Sequence, residues 1–401
     1  MSPLRHRILR VIHQLLESGL YLERRFEPWF RQPLNRLIRE PAAKLIQYFI
    51  NWRRPNLNLP LAAEHIEPDE VENLDSIIDL MMDQMRGHFK PGHYERGGNT
   101  KTHGIVKAYV TVLDDLPEPF RRGVFATPKT YSAWVRYSGP GPAVPADIND
   151  VGFGSMAIKL MGVEGKKLMD EEKSTQDLIC VSTPTFVTPD VRENAKLQYW
   201  SLLDLPIFYF LNPRDSHVRD MLMQALWNET LYNPLGTRYW SCVPYLLGED
   251  QAMMYSFAPR STVDTQIPGL PFGTPSFNYL RDNMVKTLDR QDVEFDLLVQ
   301  LQTDSHRMPT EHAGVRWPES LSPFVPVARI RIPQQTFDTE QRAELGKRLK
   351  MNPWHSIADH RPLGNQSRAR QRMYQTLSDF RQQMNATPHT EPTTDDTDWS
   401  S

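Results

Sequence analysis

Arg370 and Tyr374 lie four residues apart in "RARQRMYQTLSDFR" (368–381), a stretch with no Gly or Pro to interrupt a helix. Residues at i and i+4 share a helix face, so guanidinium and phenol can touch, and a cation beside a phenol favours its phenolate form. The same spacing also suits a surface arginine beside a half-buried tyrosine that packs on a neighbour. Spacing alone leaves both readings open.

Other chemistry is sparse. The sequence has no G-x-x-x-x-G-K-[ST], no G-x-G-x-x-G after a strand, no G-x-S-x-G and no H-E-x-x-H, and Ser155 in "GFGSM" is misplaced for a nucleophile elbow. His88 with His93, and His355 with His360, lack a metal-ligand spacing on either helix or strand. His103 has more telling neighbours. It opens the alternating run "NTKTHGIVKAYVTV", which is followed in order by "WVRYSGPG", "DINDVGFGSMAIKLMGVEGKK" and "DLICVSTPTF".

The elements that must position these residues are legible in the pattern. Between Thr102 and about Arg331, "HGIVKAYVTV", "SAWVRYSG", "GSMAIKLMGV", "LICVSTPTFV", "VEFDLLVQLQT" and "VPVARIRIP" are rich in Val, Ile, Tyr and Phe, and several alternate apolar with polar. Leu74 to Met85, Pro189 to Leu211 and Phe277 to Leu288 read as helices. Strands without a regular βαβ alternation imply an α+β chain: an antiparallel sheet or barrel with helices packed outside it.

Composition sets the remaining bounds. The chain has 401 residues, 39% hydrophobic and 24% charged, as expected of a soluble globular protein. A formal charge of −3 gives no global reason to expect nucleic acid. Two cysteines, Cys180 and Cys242, make no disulfide framework and suit a reducing compartment, so a cytoplasmic location is expected. Residues 1–54 hold eleven Lys/Arg against four Asp/Glu, with Leu4, Ile8, Val11, Ile12, Leu15 and Leu16 at helical spacing. Residues 1–60 therefore form a basic amphipathic helical extension, which Pro28, Pro33, Pro41 and Pro55 are expected to chop into short helices. Such a segment can dock on its own domain, on a second subunit in a homo-oligomer, or peripherally on the inner face of a membrane. Residues 61–385 form the main domain, and 386–401, polar and acidic, a disordered tail.

In order, these motifs resemble the haem catalase superfamily over roughly residues 95 to 381. The pattern is His-Gly opening the first barrel strand, an Arg-aromatic-Ser strand, an Asp-rich turn into G-F-x-x-x-x-K, a strand ending in T-P-x-F, and R-x-x-x-Y on a helix. The resemblance implies an antiparallel β-barrel core of the catalase type with flanking and C-terminal helices, binding haem b. Tyr374 would be the proximal iron ligand, Arg370 its charge partner, and Arg136 and Arg381 the propionate arginines. On the distal side His103 would be the acid–base group, with Ser138 holding its tautomer.

The departures from that pattern bear on the substrate. Ser182 stands where an asparagine usually precedes T-P, and a hydroxyl is shorter and offers fewer donors than an amide. Thr102 replaces an apolar residue before the histidine and resembles the catalase-related allene oxide synthases; its hydroxyl is expected on the imidazole or the haem. Thr100 stands where the family has a further arginine, leaving Arg96 or Lys101 to serve instead. The leading expectation is a haem enzyme that cleaves the O–O bond of organic, including fatty acid, hydroperoxides. The alternatives are a hydrogen peroxide catalase or peroxidase, and a non-enzymatic haem-binding, membrane-associated module.

Overall fold

The structure is a computed structural model and describes residues 3–393. The strands are β1 (Thr102–Val112), β2 (Thr130–Ser138), β3 (Ser155–Met161), β4 (Thr175–Val181), β5 (Tyr239–Trp240), β6 (Tyr245–Leu246), β7 (Ala252–Pro259), β8 (Val293–Leu301) and β9 (Val325–Ile332). They run in the order β5-β4-β3-β2-β1-β9-β8-β7, and β7 pairs back onto β5. Eight antiparallel strands thus close into a barrel, with β6 appended to β7. The closure is narrow: β4 meets β5 only at Val181 and Trp240, and β5 meets β7 only at Tyr239–Phe257 and Trp240–Ser256.

Alternation along the strands separates two layers, since successive side chains point to opposite faces. Val106, Ala108 and Val110 of β1 join Val135, Ile158, Leu178, Phe257 and Leu297 in the main core. Ile105, Trp134 and Met161 point the other way and pack with Leu349 and Leu345, at the end of α7 (Glu340–Arg348). The other helices are α1 (Pro3–Arg53), α2 (Glu70–His88), α3 (Val191–Leu202), α4 (Ile207–Leu211), α5 (Val218–Ala225), α6 (Tyr279–Leu288) and α8 (Asn365–Asn385).

α1 corrects the expectation of short helices. It is one helix of 51 residues running through Pro28, Pro33 and Pro41. A proline in a helix leaves the carbonyl four residues earlier without its donor. For Pro28 that carbonyl is Arg24's, and the Thr230 hydroxyl donates to it at 3.1 Å. Trp29 and Leu37, which precede Pro33 and Pro41 by four, are exposed, so water can serve their carbonyls. One side of α1 docks on the domain. Glu27 accepts from Thr230, Arg39 pairs with Glu229 at 2.8 Å, and Ala43, Ile46 and Ile50 pack on Met223, Trp227 and Val315.

At the other end, Glu391 accepts from the Lys173 and Ser174 backbone N–H groups, so a carboxylate of the acidic tail is tied to the domain. The rest of that tail, 394–401, lies outside the described residues.

Candidate active site

His103 sits in a local irregularity of β1. Thr102 pairs with Ser138 and Gly104 with Tyr137, so His103 is the extra residue of a β-bulge. Bulges re-aim side chains and recur next to active sites. Gly104 is required beside it, because a Cβ there would lie 2.6 Å from the Phe337 ring. Arg281 of α6 fixes the bulged backbone, donating to the carbonyls of His103 at 3.0 Å and Thr102 at 2.8 Å.

The His103 ring is buried, and neither nitrogen has a hydrogen-bond partner; Nδ1 is 3.7 Å from Asp147 Oδ1. Burial, then Lys101, Arg136 and Arg281, push its pKa down to about 3, so the imidazole is neutral at physiological pH. Lys101 ion-pairs with Asp147 at 2.6 Å and donates to the Pro145 and Phe277 carbonyls. A narrow cleft beside His103 is lined by Asp147, Asp150, Leu231, Tyr279 and Arg24 of α1. Burial raises Asp150 to about 6. A Cβ on Gly139 would lie 2.2 Å from Asp150 Oδ2 and 3.6 Å from His103 Nε2, so only glycine lets both groups approach this point.

The hydroxyl of Ser138, expected on the imidazole, and that of Thr102, expected on the imidazole or the haem, both accept from Arg136. Arg136 Nε and Nη2 donate to Thr102 Oγ1 at 3.2 and 2.8 Å, and Nη1 donates to Ser138 Oγ at 2.9 Å. Ser138 makes no hydrogen bond to His103, neither of whose ring nitrogens has a partner. Ser182 is buried at the end of β4. Its Oγ accepts from the Gly154 N–H at 2.8 Å, and its own N–H donates to the Gly154 carbonyl.

Arg136 connects the strand end at Thr102 with α8. It is buried close to Arg381 of α8, and burial, then that neighbour, lower its pKa to about 9. Arg96 completes the cluster: it donates to the Gly346 and Leu349 carbonyls, and Arg381 donates to those of Lys347 and Leu349. Burial, then Arg136 and Arg381, pull Arg96 well down. Arg96 stands with this cluster, whereas Lys101 pairs with Asp147 beside His103.

α8 begins after Gly364, whose φ of +84° and the Thr310 carbonyl oxygen only 2.1 Å from a built Cβ exclude a side chain. Arg368 anchors its first turn to Glu64, Glu70 and Glu311. Trp354 Nε1 donates to the Ser367 carbonyl, and Ala369, Met373 and Leu377 pack against α2. So held, Arg370 is buried with its guanidinium carbon 5.4 Å from the Tyr374 ring centre and 5.8 Å from that of Phe186. Its Nη1 has no partner, and it forms no ion pair with a carboxylate among the described residues. Burial works against its charge, but Tyr374 and Tyr245 outweigh burial and raise its pKa.

These residues suit haem. Propionates require sheltered cations free of carboxylate ion pairs, and among the described residues the buried Arg136 and Arg381 and the half-buried Arg96 form none, with Glu95 the one nearby acid that favours their charge. A peroxide site requires an unpartnered neutral base, as His103 provides. Sequence reasoning missed Asp150, Arg24 and Arg281 as neighbours of His103. The Asp-rich turn signalled the first, but nothing local signalled the arginines, which come from α1 and α6.

No protein-family model matches the chain, and no curated protein does. Among solved structures it is similar to catalase A from Saccharomyces cerevisiae (TM-score 0.56, 13% identity, covering 82% of this chain and 68% of that one). It is also similar to a fungal catalase (0.53, 13%, 84% and 68%) and a bacterial catalase (0.51, 14%, 82% and 64%). The chain thus spans just under two thirds of the bacterial catalase. At this level of identity the likeness shows the fold: a catalase-like α+β barrel.

Proposed function

We propose that this protein is a haem-dependent enzyme that cleaves the O–O bond of organic hydroperoxides. The observation that carries the reading is the set of three neighbouring guanidiniums, Arg96, Arg136 and Arg381, which form no carboxylate ion pair among the described residues, with only the charge of Glu95 nearby to offset them. Arg96, Arg136 and Arg381 would hold the haem propionates, and Tyr374, beside Arg370, would be the iron ligand. When bound, haem supplies the iron centre at which the peroxide bond is weakened.

His103 takes the hydroperoxide proton on its free Nε2 and returns it to the leaving oxygen, for which a neutral imidazole is the right starting form. The Asp147–Lys101 pair and Arg281 keep the bulged residue in place. The preference for organic hydroperoxides rests on Ser182: its oxygen is occupied by the Gly154 N–H, and a hydroxyl has a single proton to offer where an amide has two.

A second reading, hydrogen peroxide as substrate, is favoured by the narrow cleft at His103. One experiment separates the two. The haem-reconstituted protein is given hydrogen peroxide and a fatty acid hydroperoxide in competition, with oxygen release followed at an electrode and loss of the conjugated diene by ultraviolet absorbance. Diene loss with little oxygen supports the first reading. Catalase-like oxygen release that ignores the lipid hydroperoxide replaces it with the second.

A further inference from the structure

α1 is docked along one side and bare along the other. The docked side runs through Arg24, Glu27, Arg31, Arg39, Ala43 and Ile46. The bare side runs through Leu22, Trp29, Phe30 and Leu37, with Phe26 at its edge against the Phe272 ring, and is offset from the first by about two residues, or roughly 200° around a helix. Eighteen large apolar side chains between Leu4 and Trp52 are exposed, with Leu4 71%, Leu15 69%, Leu37 75% and Trp52 70% open to solvent. Exposed apolar patches of more than a few hundred Å² mark interaction sites.

We propose that this apolar side of α1 is a docking surface for an anionic lipid bilayer, along which the helix lies flat.

Charge decides the occupant. Residues 1–54 carry eleven Lys/Arg against four Asp/Glu, and the acids are largely spent: Glu27 lies by Arg31, and Glu40 pairs with Arg316. Arg7, Arg36, Lys44 and Arg53 form no ion pair among the described residues. A second copy seated on the same stripe would bring two such sets of cations together, whereas an anionic surface neutralises them. Aromatic residues support the same occupant: Phe26, Trp29, Phe30, Tyr48, Phe49 and Trp52 are all exposed on α1, and rings of this kind favour the headgroup boundary. The helix does not cross, since no helix among the described residues is long and apolar enough to span a membrane. Its 51 residues, about 76 Å at 1.5 Å per residue, run along the surface.

This proposal does not depend on the reaction assigned above, and its test uses no haem chemistry. The full-length protein is floated with vesicles of phosphatidylcholine alone, and of phosphatidylcholine with phosphatidylglycerol. Sedimentation velocity without lipid is run in parallel. The parent protein is expected to float with the anionic vesicles, at least about tenfold less with the neutral ones, and less as salt shortens the screening length. The double variant Leu15→Glu/Leu37→Glu, at two of the most exposed positions, should keep the parent circular dichroism and lose about tenfold or more of the binding. Arg36→Glu/Lys44→Glu should lose the anionic preference. A parent protein that stays with the unbound fraction at low salt overturns the proposal, and so does a Leu15→Glu/Leu37→Glu variant that floats undiminished. A parent dimer that this variant dissociates assigns the stripe to a second copy instead.

Discussion

Arg370 Nε donates to Tyr374 Oη at 3.3 Å across one turn of α8, in a site where the guanidinium forms no carboxylate ion pair among the described residues. The relationship is self-contained, since both residues ride on one rigid helix pinned at Gly364 and Arg368. It allows the tyrosine oxygen to be tested apart from the rest of the site.

Tyr374→Phe should abolish the ferric optical spectrum of the reconstituted protein, or leave weak and altered haem binding. Circular dichroism should stay native, because the half-buried ring remains. A spectrum identical to the parent's would remove the tyrosine from the iron.

His103→Ala should still take up haem but lose roughly 10²–10⁴-fold in hydroperoxide turnover, the usual scale of general acid–base catalysis. The ring makes no hydrogen bond through its nitrogens, so its removal breaks none and the fold should hold. Equal rates in parent and variant would point to a haem-binding module that does no chemistry.

Ser182→Asn combined with Thr102→Val addresses substrate choice. The amide offers a second donor at position 182, next to Gly154, and oxygen release from hydrogen peroxide should rise while diene loss stays flat or falls. Thr102→Val also removes the acceptor for Arg136 Nε and Nη2, so some thermal stability should be lost in that single variant, and Thr102→Ser should return it. If Ser182→Asn leaves the ratio of the two activities unmoved, Ser182 does not set the preference.

The buried network of Lys159, Glu172, Asp177 and His355 predicts how stability varies with pH. Burial and Lys159 lower the His355 pKa, but Asp177, Glu171 and Glu172 outweigh them and hold it up to about 10, against 6.5 for a free histidine. The folded state keeps the proton longer, so this stabilisation is whole below about pH 6.5 and is lost as pH rises through 10. Glu171 has the opposite sign. Burial raises it, but His355 and Lys350 bring it down to about 2, so its contribution is present above pH 4.5 and lost as pH falls through 2. Urea midpoints should peak between these limits, and His355→Gln should flatten the alkaline side. An alkaline decline of the same size in the variant would place its source elsewhere.

Much of the barrel was legible because β1, β2, β3, β4, β8 and β9 lie in segments rich in Val, Ile, Tyr and Phe, several of which alternate apolar with polar residues. β7, "AMMYSFAP", shows no such alternation, and two-residue strands such as β5 and β6 leave no periodic trace. The unbroken α1 was illegible for a different reason. A proline reads locally as a stop, and the Thr230 hydroxyl that takes up the Arg24 carbonyl lies 206 residues away. Within the site, spacing put Arg370 and Tyr374 within reach of each other on one helix, and the order of the surrounding motifs chose between the two readings of that spacing. The partners of Arg136 and the surroundings of His103 are set by the bulge and by segments far along the chain, which no local pattern encodes.

The narrow closure of the barrel also concerns breathing. Only one residue pair joins β4 to β5 and only two join β5 to β7, whereas β1 and β2 are laced along nine pairs. Local opening follows the fewest bonds, so the amides of Tyr239 and Trp240 should exchange with deuterium well before those of β1. The fraying edge adjoins Val181 and hence Ser182. The side of the barrel nearest Ser182 is therefore the side best able to part.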